Sequence, residues 1–132
     1  MAQPVETDPC PCRSGERFGA CCAPRLDGSS PAPTAETLMR SRFTAFAVGD
    51  TEYLLRTWHP RTRPHRLELD LQQRWMFLEI LDTERGGPFD EVGQVEFRAH
   101  YRLPKSRGTL HERSRFTRID RQWLYIDGDI ES

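Results

Sequence analysis

The chain has 132 residues, 36% of them hydrophobic, with 19 Lys and Arg against 20 Asp and Glu for a formal net charge of −1. That length suits one domain with a small appendage, and the near-zero charge excludes a molecule-wide field that would draw it to nucleic acid or an anionic membrane. No apolar run approaches the ~18 residues of a membrane-crossing helix, and the N-terminus shows neither a basic start nor an apolar stretch, so a cytoplasmic protein is expected.

The first informative segment runs from Cys10 to Cys22 and holds all four cysteines of the chain. Thiolates are soft ligands, and zinc takes four of them tetrahedrally at ~2.3 Å. A C-x-C pair (Cys10, Cys12) and a C-C pair (Cys21, Cys22) joined by a short loop can reach one ion. Ser14 and Gly15 permit a tight turn that aims backbone N–H groups at sulfur, because Gly tolerates positive φ. Such donors stabilise thiolates. Two disulfides would suit a secreted mini-domain, but nothing here points to export. A C-x-x-C redox motif is absent, and inert thiols are usually scattered rather than clustered in a polar segment. One structural zinc ion on Cys10, Cys12, Cys21 and Cys22 is therefore expected. Residues 10–22 are too few to bury a core and depend on the metal for their fold. A zinc saturated by four thiolates keeps no position for water, so no catalysis is expected of it.

Pro24, Gly28, Pro31 and Pro33 mark residues 23–34 as a linker or surface loop. The expected division is a knuckle and linker over residues 1–30 and an α+β domain over 31–132. Thr34 is a good N-cap. Leu38, Met39, Phe43, Ala45 and Phe46 follow at helical spacing over Ala35–Val48. Gly49 and Asp50 end that helix. Asp50 or Thr51 caps a second one, whose apolar face is Tyr53, Leu54 and Trp58 and which Pro60 stops. Residues 61–74 read as a basic loop and a short helical turn.

The pattern then changes to period two. Strands are expected over Trp75–Thr83, Val92–Leu103, Thr109–Ile119 and Trp123–Ile126. Turns fall at Gly86–Pro88, Pro104–Gly108 and Asp120–Arg121. Helices followed by strands in hairpin connection mean α+β, with two helices packed on one face of a curved four-stranded antiparallel sheet.

Two positions break the pattern. If Leu110 and Phe116 face the core, Glu112 and Ser114 do too, because strand side chains alternate. Arg42 lies in the middle of the first helix's apolar stripe. An inward carboxylate is costly unless paired. Arg42 and Glu112 are therefore either a buried ion pair or walls of a polar pocket at the open end of the domain, with Trp58 and Tyr101. The opposite sheet face carries Arg98, His100, Arg102, His111, Arg113 and Arg115. Such a row can track phosphates, but Glu96 sits within it and no aromatic platform interleaves it. No nucleophile elbow, phosphate loop or H-E-x-x-H motif is present, and no catalytic residue is assigned.

The stretch Cys10–Cys22 resembles the SEC-C motif, C-P-C-x-S-G-x-x-[YF]-x-x-C-[CH], a module that also ends the translocation ATPase SecA, where it binds zinc and contacts partner proteins. PAPTAETLMRSRFTAFAVGD (31–50), LLRTWHP (54–60) and LHERSRFTRIDRQWLYIDGD (110–129) resemble the YchJ-like family. The resemblance implies a zinc knuckle followed by a cone-shaped domain like that of nuclear transport factor two (a cystatin-like arrangement), and no activity. Position 13 is Arg where the motif usually has Gly, and positions 16, 19 and 20, often Lys, are Glu, Gly and Ala.

The expected function is a non-enzymatic adaptor or binding module with a structural Zn2+ and an unidentified protein partner. Nucleic acid or the ribosome is the lesser partner reading, and no membrane partner is expected. The alternative is an enzyme or small-molecule binder that uses the pocket of Arg42, Trp58, Tyr101 and Glu112.

Overall fold

The computed structural model describes residues 3–131. After a single 3-10 turn at Phe18–Ala20 come three helices, α1 (Ala23–Leu26), α2 (Ala35–Val48) and α3 (Thr51–Arg56). Four strands follow, β1 (Arg74–Arg85), β2 (Val92–Leu103), β3 (Ser106–Ile119) and β4 (Gln122–Ile130). The sheet is an open antiparallel meander in the order β1-β2-β3-β4.

The ends of α2 are set by local chemistry. The Thr37 N–H donates to Thr34 Oγ1 at 3.1 Å, which satisfies one orphan donor of the first turn. Gly49 closes the helix in the left-handed region at φ 83°. Asp50 caps α3 by accepting the Tyr53 N–H at 3.0 Å. Between these caps α2 is buried on nearly every side. Met39 and Phe43 face the sheet, and the Ser41 hydroxyl meets the Tyr53 hydroxyl at 2.8 Å. Phe43 is 2% exposed, a burial that contributes roughly 1.5–3 kcal/mol. Val95, Phe97, Ala99, Phe116 and Trp123 complete the core from the inner sheet face.

Several elements differ from the sequence expectation. The stretch 23–34 contains the turn of helix α1, and the indole N–H of Trp123 fastens its far end by donating to Pro33 O at 3.2 Å. Residues 61–73 form no helix; one turn closes where Gln73 N–H donates to Asp70 O. α3 ends before Trp58, which instead lies beside β4 in an isolated bridge to Tyr125. The β2–β3 turn is only Pro104-Lys105, because Leu103 already pairs with Ser106. β4 continues through Asp127-Gly128-Asp129, a sequence with turn chemistry, because those acids pair with Arg115 and Arg113 across the ladder. Among the described residues no helix is long and apolar enough to cross a membrane.

Candidate metal centre and cone cavity

The cysteine loop is shaped by short-range backbone bonds. Cys10 N–H donates to Glu16 O at 3.0 Å, Arg13 N–H to Cys10 O at 2.9 Å, and Phe18 N–H to Asp8 O at 2.8 Å. The turn uses positive φ at Gly15 (96°) and at Arg13 (60°). A left-handed conformation costs a side-chain-bearing residue roughly 1–2 kcal/mol, so Arg13 sits where glycine would be free. Its guanidinium lies 4.1 Å from the centroid of the Phe77 ring in β1. A contact of that kind offsets about 0.5–1 kcal/mol.

The four sulfurs all lie within 4.8 Å of one another. Cys12 and Cys21 are 3.7 Å apart, and Cys21 and Cys22 are 3.8 Å apart. Four thiolates at ~2.3 Å from one zinc ion stand about 3.8 Å from each other in a tetrahedron, so the donor set fits that ion. Sulfur has donors from outside the loop. Thr44 Oγ1 donates to Cys22 Sγ at 3.2 Å, and Arg40 Nη1 reaches Cys12 O at 3.3 Å and its Sγ at 4.0 Å. Ser14 Oγ lies 3.2 Å from Cys21 Sγ. Thr44 and Arg40 belong to α2, so the main domain supplies second contacts to the thiolates. Sequence reasoning placed the donors inside the loop and missed both. Their signal was two polar residues on a helix whose other faces are buried.

The protons are unevenly shared. Hydrogen bonds from Cys10 and then Cys22 hold the Cys12 thiol far below its ordinary range. Cys10 is pushed up to about 11, chiefly by its hydrogen bond to Cys12. Cys22 is also pushed up, by its bonds to Cys10 and Cys12. The upward shifts of Cys10 and Cys22 oppose further thiolates beside that of Cys12, a cost that a bound dication would offset.

A second feature lies between α2 and the inner sheet face. It is a cavity of about 140 Å³ walled by Phe43, Phe46, Trp58, Trp75, Phe97 and Tyr125. Arg42, Glu112 and Ser114 are its polar groups. Arg42 is 3% exposed. Its Nη1 donates to Leu54 O and to Thr57 Oγ1, both at 2.8 Å, and its guanidinium carbon lies 4.6 Å from the Tyr125 ring centroid and 5.0 Å from that of Trp58. Burial pushes the Arg42 pKa down to about 10, against the pull of Tyr125, Tyr53 and Glu112. Burial, and then the Glu112 charge, push Tyr125 up to about 12. Glu112 accepts from the Ser114 hydroxyl at 2.7 Å. Among the described residues it makes no salt bridge with Arg42. The Trp58 indole N–H is buried with no partner among them.

Of the expected pocket residues, the structure brings Arg42, Trp58 and Glu112 to one cavity, and Tyr101 does not line it. Tyr101 is on the inner face by parity, but its ring leans over Gly108 on β3, where an added Cβ would stand 2.3 Å from Cζ. Trp75, which does line the cavity, meets that ring edge-on at 5.2 Å. Tyr125, not Tyr101, supplies the tyrosine of this wall. Its parity with Trp123 on β4 was the available signal.

The outer face is a charge lattice. His100 Nε2 meets Glu79 at 2.5 Å and His111 Nε2 meets Glu96 at 2.7 Å. Arg113 reaches Asp82 and Glu96, both at 3.1 Å, and Arg115 reaches Asp127 at 2.6 Å and Asp129 at 2.8 Å. The Asp129 and Asp127 contacts raise the Arg115 pKa. Arg98 and Arg102 remain exposed.

A cysteine knuckle fastened to the long helix of an open four-stranded cone defines a class, the proteins that join a SEC-C motif to an NTF2-like domain. The SEC-C motif model matches residues 7–24, and the model described as YchJ, middle NTF2-like domain, matches residues 34–128. The chain belongs to the YchJ-like family, whose curated members are called UPF0225 proteins. One from Streptomyces coelicolor is 57% identical over 126 residues, covering 96% of this chain and 98% of the relative. Another from Corynebacterium efficiens is 51% identical over 121 residues, covering 92% of each. The solution structure of a SEC-C motif containing protein from Rhodopseudomonas palustris superposes with a TM-score of 0.81 at 30% identity, covering 93% of this chain and 98% of that one. The crystal structure of a SEC-C motif containing protein from Psychrobacter arcticus gives 0.75 at 25% identity, covering 100% and 86%.

Proposed function

We propose that this protein is a cytoplasmic binding module in which Cys10, Cys12, Cys21 and Cys22 hold one structural zinc ion. The ion would fasten the knuckle to α2, and the assembled surface would engage a partner protein rather than turn over a substrate. The observation that carries the metal reading is the convergence of four sulfurs within 4.8 Å, backed by hydroxyl and guanidinium donors from α2. Four sulfur ligands fill a tetrahedral site and leave no open position, which favours a structural role. On the outer face the acids already bound to Arg113 and Arg115 compete with any phosphate, which favours a protein partner over nucleic acid.

Elemental analysis of freshly purified, reduced protein tests the metal. One zinc per chain is expected, and cobalt exchanged into the site should give the absorption of a tetrahedral tetrathiolate. Protein purified with no zinc would overturn the reading. A second reading, that the cone binds a small molecule, is favoured by Arg42 and Trp58, which bring polar groups to the wall of a largely aromatic cavity.

A further inference from the structure

The cone cavity is built around two opposite charges that share it without touching. Arg42 is 3% exposed, yet among the described residues only its Nη1 has hydrogen-bond partners. Glu112 has one oxygen, Oε2, occupied by Ser114. The carboxylate is housed deliberately. It lies against Gly128 of β4, where an added Cβ would stand 2.6 Å from Glu112 Oε2 and 2.8 Å from Cδ. Gly128 does not have a positive φ, so its missing side chain serves space rather than backbone conformation.

Resting on the small-molecule reading of the cone, we propose that the cavity binds a neutral molecule with one aromatic or heteroaromatic ring that carries a carboxamide-type edge. Three observations carry this. The cavity of about 140 Å³ is close to the size of an apolar cavity of about 150 Å³ that takes benzene. Its walls are mostly aromatic rings, which pack well against another ring at offset or edge geometry. The two charges sum to zero, and a carboxamide bridges them, its oxygen accepting from Arg42 and its N–H donating to Glu112. An anion would meet the Glu112 charge, and a cation would meet that of Arg42. An acceptor reaching the Trp58 side would also relieve its unpartnered indole N–H.

The test uses the full-length protein and four probes of matched ring size: benzamide, benzoate, benzylamine and toluene. Binding is followed by calorimetry and by the Trp58 and Trp75 indole resonances, with Trp123, which does not line the cavity, as internal control. Benzamide should bind tightest and shift Trp58 and Trp75 but not Trp123. Glu112→Gln and Gly128→Ala should each weaken it by about tenfold, the usual worth of one hydrogen bond to a charged group, while the melting temperature holds. In Gly128→Ala the three atoms nearest the new methyl all belong to the Glu112 side chain, so this variant keeps the test valid should Glu112→Gln fold poorly. Tighter binding of benzoate, benzylamine or toluene would overturn the carboxamide class and leave the cavity a ligand site. Benzamide affinity unchanged in both variants would do the same. Absence of any shift in Trp58 and Trp75 with all four probes at millimolar concentration would overturn the ligand site itself.

Discussion

The knuckle and the cone solve the same problem, burying polar atoms, by opposite means. In the knuckle the buried side chains are Cys10, Cys12 and Cys22. They have too little carbon to hold a core, and neighbouring thiolates repel unless a cation lies between them. In the cone the core is aromatic and aliphatic, and the buried guanidinium of Arg42 is held by carbonyl, hydroxyl and ring faces. The knuckle should therefore depend on an ion and little else, whereas the cone should depend on many contacts that no single removal abolishes. α2 is the shared wall, with Thr44 turned to the cysteines and Arg42 to the cavity.

The sharpest way to break that contrast is to take the ligands away. Stripping the zinc proposed for the knuckle with a chelator, or making Cys22→Ser, should unfold residues 8–22 while β2 and β3 keep their amide protection. The apparent energy of a structural zinc site is about 10–16 kcal/mol at neutral pH, far more than the knuckle's backbone bonds supply. The cone should retain a cooperative transition, because Phe43, Val95, Phe97, Phe116 and Trp123 supply it with a core of its own. Acid should act in the same direction. Thiolates must be deprotonated to hold the ion, so falling pH favours the protonated cysteines and releases it. Hydrogen exchange resolved by segment is the measurement. Simultaneous loss of protection in both regions would show that the knuckle is part of the cone's folding unit.

How much of this was legible in the sequence follows from the same contrast. The cysteine cluster was readable because its four residues sit within one short loop. The helix Ala35–Val48 and the inward parity of Leu110, Glu112, Ser114 and Phe116 were readable because periodicity is local. Contacts set by long-range register were not. Tyr101 and Tyr125 both lie on the inner face, and only the pairing of Tyr125 beside Trp58 decides which one meets Arg42. The helical turn expected within 61–74 failed because apolar spacing alone does not distinguish a turn of helix from an extended stretch. Arg13 marks a different limit. Its left-handed backbone was hidden by a residue type that rarely adopts one, and its contact with Phe77 lies far along the chain.

Within the cone the largest single loss should come from Arg42→Ala. The change removes the donor to Leu54 O and Thr57 Oγ1, takes a cation from two ring faces and leaves a hole beside α2. Removing one charged hydrogen-bonding partner and opening a cavity together cost about 3 kcal/mol or more. Arg42→Lys should recover little, since an ammonium lacks the planar face that lies against the Tyr125 and Trp58 rings. Denaturant titration measures this. A loss under about 1 kcal/mol for Arg42→Ala, the size of an ordinary surface change, would mean that the cone tolerates a dry gap there and that Arg42 is not structural.

The smallest expected effect sharpens the comparison with the same residue type on the other side of the sheet. Arg113 contacts Asp82, Glu84 and Glu96 on β1 and β2, with 24% of its side chain accessible. By count of partners it looks stronger than Arg42, which has no ion pair among the described residues. Its partners are wet, however, and solvent screens each contact, so Arg113→Ala should cost about 1 kcal/mol or less. Part of that cost is repulsion among the three carboxylates left facing one another. The Debye length falls from about 10 Å at 0.1 M salt to about 3 Å at 1 M, so most of the loss should vanish in 1 M sodium chloride. The Arg42→Ala loss should not change with salt, because a buried guanidinium is shielded by protein rather than by ions. Paired titrations of both variants at low and high salt measure the difference. Equal salt sensitivity in the two would show that Arg42 is reached by solvent ions, and the division between a dry inner face and a wet outer one would fall.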